Sequence, residues 1–131
     1  MVDKMMSATE IIDPIAFFAD RGFLHDAEIL NIACKITESS VEIEINDLNA
    51  AFFELPNYGS AQMGILRFSN ATALYTNIDF TDGVTISKAY SSRIEGGFIC
   101  DLQLRYGGTV GNVNGASVRI DFEKLSFAVL G

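Results

Sequence analysis

The stretch Val41-Glu42-Ile43-Glu44-Ile45-Asn46-Asp47-Leu48 decides the class of fold. On an extended chain Val41, Ile43 and Ile45 fall on one side and Glu42, Glu44 and Asn46 on the other, as in a strand with one face in a core and one in water. Just upstream, Leu30, Ile32, Cys34 and Ile36 alternate with Asn31, Ala33, Lys35 and Thr37, and Glu38-Ser39-Ser40 separates the two runs. The two runs together predict a β-hairpin.

The same rhythm predicts strands near 62–69, 71–80, 84–91, 96–106 and 116–129, broken at Thr81-Asp82-Gly83, at Glu95-Gly96-Gly97 and along Gly107 to Gly115. Only the start of the chain reads as helix. Asp13 offers a capping carboxylate, Pro14 suits the first helical position, and Gly22 suits a stop, so a helix is predicted over 14–20 with Ile15, Phe18 and Phe17 as its apolar stripe. No second helix is on hand to cover a parallel sheet. The expectation is one all-β domain over 1–131, an antiparallel sandwich or barrel of seven or eight strands with one short N-terminal helix. Residues 1–8 are the segment expected to be disordered.

Three segments share a finer pattern: Ile43-Glu-Ile45-Asn-Asp-Leu48, Leu66-Arg-Phe68-Ser-Asn-Ala71 and Ile120-Asp-Phe122-Glu-Lys-Leu125. Each alternates and then inserts two polar residues before the next apolar one. None has the glycine that a tight hairpin needs at those positions, so bulges or corners are expected there rather than turns.

The net charge of −8 is unevenly placed: residues 1–54 hold eleven of the seventeen acids but only three of the nine bases. The remainder is neutral. Such a field repels phosphates and anionic lipid, which argues against nucleic-acid and membrane-surface roles and favours a basic protein partner. No apolar run approaches the ~18 residues of a membrane helix and the N-terminus lacks a signal-peptide core, so the chain is expected to be cytoplasmic.

Cys34 and Cys100 read as isolated, buried thiols, and with His25 they are too few and too scattered for structural zinc. The stretch Gly107 to Gly115 has no Gly-Lys-Ser/Thr and opens no helix, so it reads as a loop between strands and not as a phosphate cradle. No metal or cofactor is expected. His25 is the only histidine and Asp26 stands beside it, but neighbours on an extended chain point to opposite faces and no serine lies in a nucleophile elbow. A polar anchor at the start of the first hairpin strand is the expected role of His25, and no catalytic residue is assigned. Phe52, Phe53 and Tyr58 crowd a stretch with Pro56 and Gly59, which reads as a flap over one end of the core or as the lip of a pocket.

The run Phe23-Leu24-His25-Asp26-Ala27-Glu28-Ile29-Leu30, followed by alternating strands, resembles the opening of small bacterial β-rich immunity proteins of polymorphic toxin systems and of related uncharacterised domains. The resemblance implies a non-enzymatic protein that masks a toxin, with His25 and Asp26 as the shared signature. The leading expectation is therefore a binding protein that meets a basic partner through Glu42, Glu44 and Asp47. The alternatives are a small-molecule carrier with an apolar β-barrel cavity near Phe52, Phe53 and Tyr58, and a hydrolase using His25. Exposed strand edges leave a homodimer open.

Overall fold

The computed structural model describes residues 8–56, 58–78, 84–106 and 117–130. It contains strands β1 (Thr9–Ile11), β2 (Glu28–Lys35), β3 (Ser40–Ile45), β4 (Gly64–Ser69), β5 (Ala73–Thr76), β6 (Val84–Ile94), β7 (Gly97–Tyr106), β8 (Ser117–Phe122) and β9 (Lys124–Val129), and one helix, α1 (Pro14–Asp20). They form a single sheet in the order β1-β9-β4-β3-β2-β6-β7-β8-β5, with every neighbouring pair antiparallel. The class is the one the alternation predicts, all-β with one short helix. The strand count is nine, above the seven or eight expected, because 116–129 is two strands divided at Glu123 and because Thr9–Ile11 adds a short edge. The end strands β1 and β5 each have one ladder partner among the described residues, so the sheet is open. The expected breaks at 81–83 and 107–115, like most of the segment 1–8, lie outside the described residues.

Helix α1 covers the range predicted. Asp13 is extended, with φ −124°, and its Oδ1 accepts from the Ala16 N–H at 3.2 Å. The apolar stripe is corrected: Pro14, Phe17 and Phe18 are buried, while Ile15 is exposed. Positions i, i+3 and i+4 share a helix face, and once Pro14 lies on the sheet Ile15 turns away. Gly22 stops the helix at φ +63°, and a Cβ there would lie 2.5 Å from the Ala51 Cβ.

The parity slip after Phe68 and the one after Phe122 are a single feature. Strand β4 pairs with β9 up to Ser69 and Lys124, and β5 pairs with β8 from Ala73 and Asp121. Both chains therefore turn the same corner side by side, from one half of the sheet to the other. The corner is tied by Glu123 N to Ser69 O at 3.2 Å, Thr72 N to Asp121 O at 2.8 Å and Asn70 Nδ2 to Glu123 Oε1 at 3.1 Å. Asn70 takes the left-handed conformation, φ +52°, that its short polar side chain tolerates. Inside the corner the rings of Phe68 and Phe122 meet edge to face at 5.0 Å. Gly97 sits where a Cβ would fall 2.3 Å from the Phe122 carbonyl oxygen. The third slip, after Ile45, ends β3: Asn46 exchanges hydrogen bonds with Glu28, and Asp47 opens a loop.

The fold brings the two halves of the sheet face to face around a core that includes Ile43, Leu66, Phe68, Ile86, Leu102 and Ile120. Strand β3 follows the reading of its sequence, with Val41, Ile43 and Ile45 buried. Strand β2 does not. Its register against β3 shifts between Ile29 and Asn31, so Ile29 and Ile32 lie opposite Ile45 and Ile43 while Leu30 is 48% exposed. The bulge takes Leu30 off the face it was expected to share. Ile36 is exposed as well, in the short 3-10 turn Ile36–Glu38 that joins the hairpin.

Candidate binding groove

Strand β6 begins at Val84, opposite Ile29, and its pairing with β2 among the described residues is at Glu28 and Ile29. From Leu30 to Lys35, β2 has a ladder partner on its β3 side only among the described residues. Facing this edge is β5, whose ladder partner among the described residues is β8. Between them runs a groove of about 590 Å³, walled by Ile29, Ile32, Cys34, Leu74, Ile78 and Val84, with Leu30, Asn31, Thr76 and Asn77 at its margin. A second concavity of about 300 Å³ continues past Cys34 and Leu74 toward Ile36, Ser39, Ser40 and Thr72. Within it, Ser40 is 2% exposed and its hydroxyl has no hydrogen-bond partner among the described residues.

The direction of the flanking strands follows from the topology. β2 and β4 are both antiparallel to β3 and so run the same way, and β4 continues through the corner into β5. Past the corner β5 runs back along β2: its start lies by the end of β2, where Ala71 N bonds Ser39 O at 2.7 Å, and the residues after it, Asn77 and Ile78, line the groove with Ile29 and Val84.

The cysteines separate. Cys100 is buried on β7, and burial, reinforced by the neighbouring Asp101 charge, pushes its thiol well up from the ordinary value. Cys34 was expected to be buried and is exposed; it lies beyond Ile29, the last β2 residue paired with the described part of β6. Treatment of the native protein with a maleimide is expected to label one thiol, at Cys34, and labelling in denaturant two. Peptide mapping after mass spectrometry checks this.

The acids read as a partner surface are not brought together. Glu42 lies between Arg67, at 2.9 Å, and Lys35, at 3.4 Å, and Glu38 also reaches Arg67. Glu44, on the same outer face, lies opposite Asn31 of β2 and Ile65 of β4 and forms no ion pair among the described residues. Asp47 is 8% exposed and its carboxylate is used inside the loop: Oδ1 accepts from Asn49 N and Gln62 N, both at 2.9 Å, and Oδ2 from the Tyr58 hydroxyl at 2.7 Å. The side chain closes the loop around fully buried Leu48.

Phe52, Phe53 and Tyr58 do not line the groove. Phe53 is 62% exposed, with its ring on Tyr58 at 5.4 Å, and the buried apolar groups of this loop are Leu48 and Ala50. The hydrogen bond to Asp47, then burial and the charge of that carboxylate, hold the Tyr58 phenol above its ordinary value. A phenol whose folded value is raised contributes its stability in full below the unfolded value, about pH 10, and loses it as pH climbs through the folded value. Ultraviolet titration is expected to show a late-ionising component that is absent in Tyr58→Phe.

His25 and Asp26 lie closer together than an extended chain allows, which corrects the expectation of opposite faces. Asp26 is left-handed, with φ +74°, and this brings its Oδ1 to 3.4 Å from His25 Nε2. His25 Nδ1 donates to the Ser87 carbonyl at 2.8 Å, and Asp26 pairs with Arg105. Both side chains thus fasten the turn before β2 to strands β6 and β7. Phe23 and Leu24 are left-handed too, and the turn is held by Asp26 N to Ile86 O at 2.9 Å, Ile86 N to Ala27 O at 2.7 Å and by fully buried Leu24 and Ala27.

Among the described residues no three His, Cys, Asp or Glu side chains converge to hold a metal ion, and no helix is long and apolar enough to cross a membrane. The class defined at this point is an open, antiparallel all-β fold with a lateral groove between two strand edges. Compared with protein-family models, with curated proteins and with solved structures, the chain matches none.

Proposed function

We propose that this protein is a non-enzymatic binding protein of the immunity type, which masks a basic protein partner by receiving part of it in the groove between β2 and β5. The groove carries the reading. Its walls are apolar, Asn31, Thr76 and Asn77 add polar groups at its margin, and exposed Leu30 and Ile36 extend the apolar surface along it, a combination that marks contact surfaces. The net charge of −8 favours a cationic partner and a fast, salt-sensitive encounter. The likeness of Phe23–Leu30 to immunity proteins supports the same kind of partner.

The acidic contribution is assigned to the general field and to Glu44, since Glu42 is ion-paired and Asp47 is committed to its loop. The test compares wild type with Leu30→Lys/Thr76→Lys, both exposed positions on the groove margin. Affinity capture from the native cell lysate at low and high salt, read by mass spectrometry, is expected to recover a basic protein with wild type. High salt weakens that capture and the double variant loses it. Capture that is identical in the two, or that yields nothing, rejects the proposal.

A further inference from the structure

We infer that the loop between β3 and β4 carries a second contact surface, apart from the groove: Phe53 and Leu55, with Glu54 between them, receive a cationic protein segment that covers both apolar side chains and sets a lysine or arginine against Glu54. The inference does not depend on the groove, which none of these three residues lines.

The backbone supplies the first argument. Phe53 has φ −57° and ψ 133°, Glu54 has φ +75°, and Leu55 N donates to Phe52 O at 2.9 Å. These values make a type II turn with Phe53 and Glu54 at its two central positions, and the second of these ordinarily takes glycine or asparagine. A glutamate held there is strained, and strained residues gather at functional sites. The result is display, since Phe53 and Leu55 are both exposed. The display is also fixed. The Tyr58 ring meets Phe53 edge to face at 5.4 Å, Tyr58 N donates to Leu55 O at 3.0 Å, and the Tyr58 hydroxyl is bonded to buried Asp47. An aromatic side chain held in place before contact loses little freedom on binding, and such side chains dominate the energy of protein interfaces.

Charge supplies the second argument and the chemistry of the partner. Between Lys35 and Arg67 the chain has five acids and no base. Glu38 and Glu42 are paired with those two flanking cations, whereas Glu44, Asp47 and Glu54 form no ion pair among the described residues. Glu28, whose backbone exchanges hydrogen bonds with Asn46 just before the loop, is likewise without one. Arg21, beside the Gly22 that abuts Ala51 of the loop, is stacked on the rings of Phe17 and Phe127, at 4.2 Å and 5.3 Å. An exposed apolar pair set among acids that no described cation answers selects a partner of the opposite sign.

The test selects a phage-displayed library of random peptides on the full-length protein. One class of binders is expected to be rich in lysine, arginine and apolar residues, to keep its affinity for Leu30→Lys/Thr76→Lys and to weaken in high salt. Against Phe53→Ser and Glu54→Lys the same peptides are expected to lose roughly tenfold or more. Glu54→Gly separates charge from conformation, because glycine takes a positive φ freely. This variant is expected to unfold at no lower temperature than wild type and still to bind the peptides about threefold more weakly. Circular dichroism that matches wild type shows that Phe53→Ser, whose ring lies largely in solvent, acts on binding and not on folding. Peptides that need Phe53 but are neutral or acidic, or that bind Glu54→Lys as tightly as wild type, overturn the cationic occupant. Self-association of the free protein that Phe53→Ser abolishes, read by sedimentation, assigns the surface to a second copy of the chain and overturns the proposal. A library in which no binder depends on Phe53 overturns the surface itself.

Discussion

Replacing Asp47 by alanine is expected to lower the stability of the fold by about 3 kcal/mol. The carboxylate accepts from Asn49 N, Gln62 N and the Tyr58 hydroxyl, and its loss leaves donors in a nearly closed loop with nothing to bond. A buried polar group left unpaired costs roughly 1–3 kcal/mol. Asp47→Asn keeps Oδ1 for the two backbone donors and can offer its amide to the Tyr58 oxygen, so its expected loss is smaller, about 1 kcal/mol. Urea unfolding of the two variants measures the difference. Equal and negligible losses would show that Asp47 does not hold the loop and would return it to the set of acids available to a partner.

Phe68→Ala is expected to cost about 3–5 kcal/mol, the range for truncating a buried phenylalanine. The ring is fully buried and meets Phe122 at 5.0 Å where the two halves of the sheet fold together. Because β4, β5, β8 and β9 all pass this point, the cavity would loosen the corner as well as the core. Phe68→Leu, which refills part of the volume, should recover more than half of the loss in the same denaturation experiment. A loss below 1 kcal/mol for Phe68→Ala would mean that the halves are not held through this contact.

These two residues also show which parts of the fold are legible in the sequence. The alternation around Ile43 and Ile45 identifies a half-buried strand because burial on one face needs only a period of two, and Asp13-Pro14 marks a helix start through local chemistry. The parity slips at Ser69-Asn70 and Glu123-Lys124 are visible as slips. That they form one corner depends on β4 pairing with β9, a contact between residues far apart in sequence. The bulge in β2 has a faint local trace, the adjacent apolar pair Ile29-Leu30. The groove has none, because it exists where the corner delivers β5 opposite β2, a placement not written in residues 28–35.

The candidate sites divide along the same line. The pairing of His25 with Asp26 was hidden by the left-handed backbone of Asp26, a conformation uncommon enough that a single aspartate does not announce it. Asp47 looks in the sequence like one more surface acid, and only the loop that folds back to Gln62 buries it. Cys34 alternates correctly with its neighbours and still reaches solvent, because alternation sets the face on which a side chain lies and not whether that face is covered.

The measurement that bears most directly on the open groove is residue-resolved amide hydrogen exchange of the free protein. The account predicts that alternate amides within Leu30–Lys35, those directed away from β3, exchange rapidly along with the outer amides of β5, while β3 and β4, paired on both sides, are protected to near the global limit. Uniform strong protection along Leu30–Lys35 would show that this edge is already closed, and the proposed binding groove would not exist.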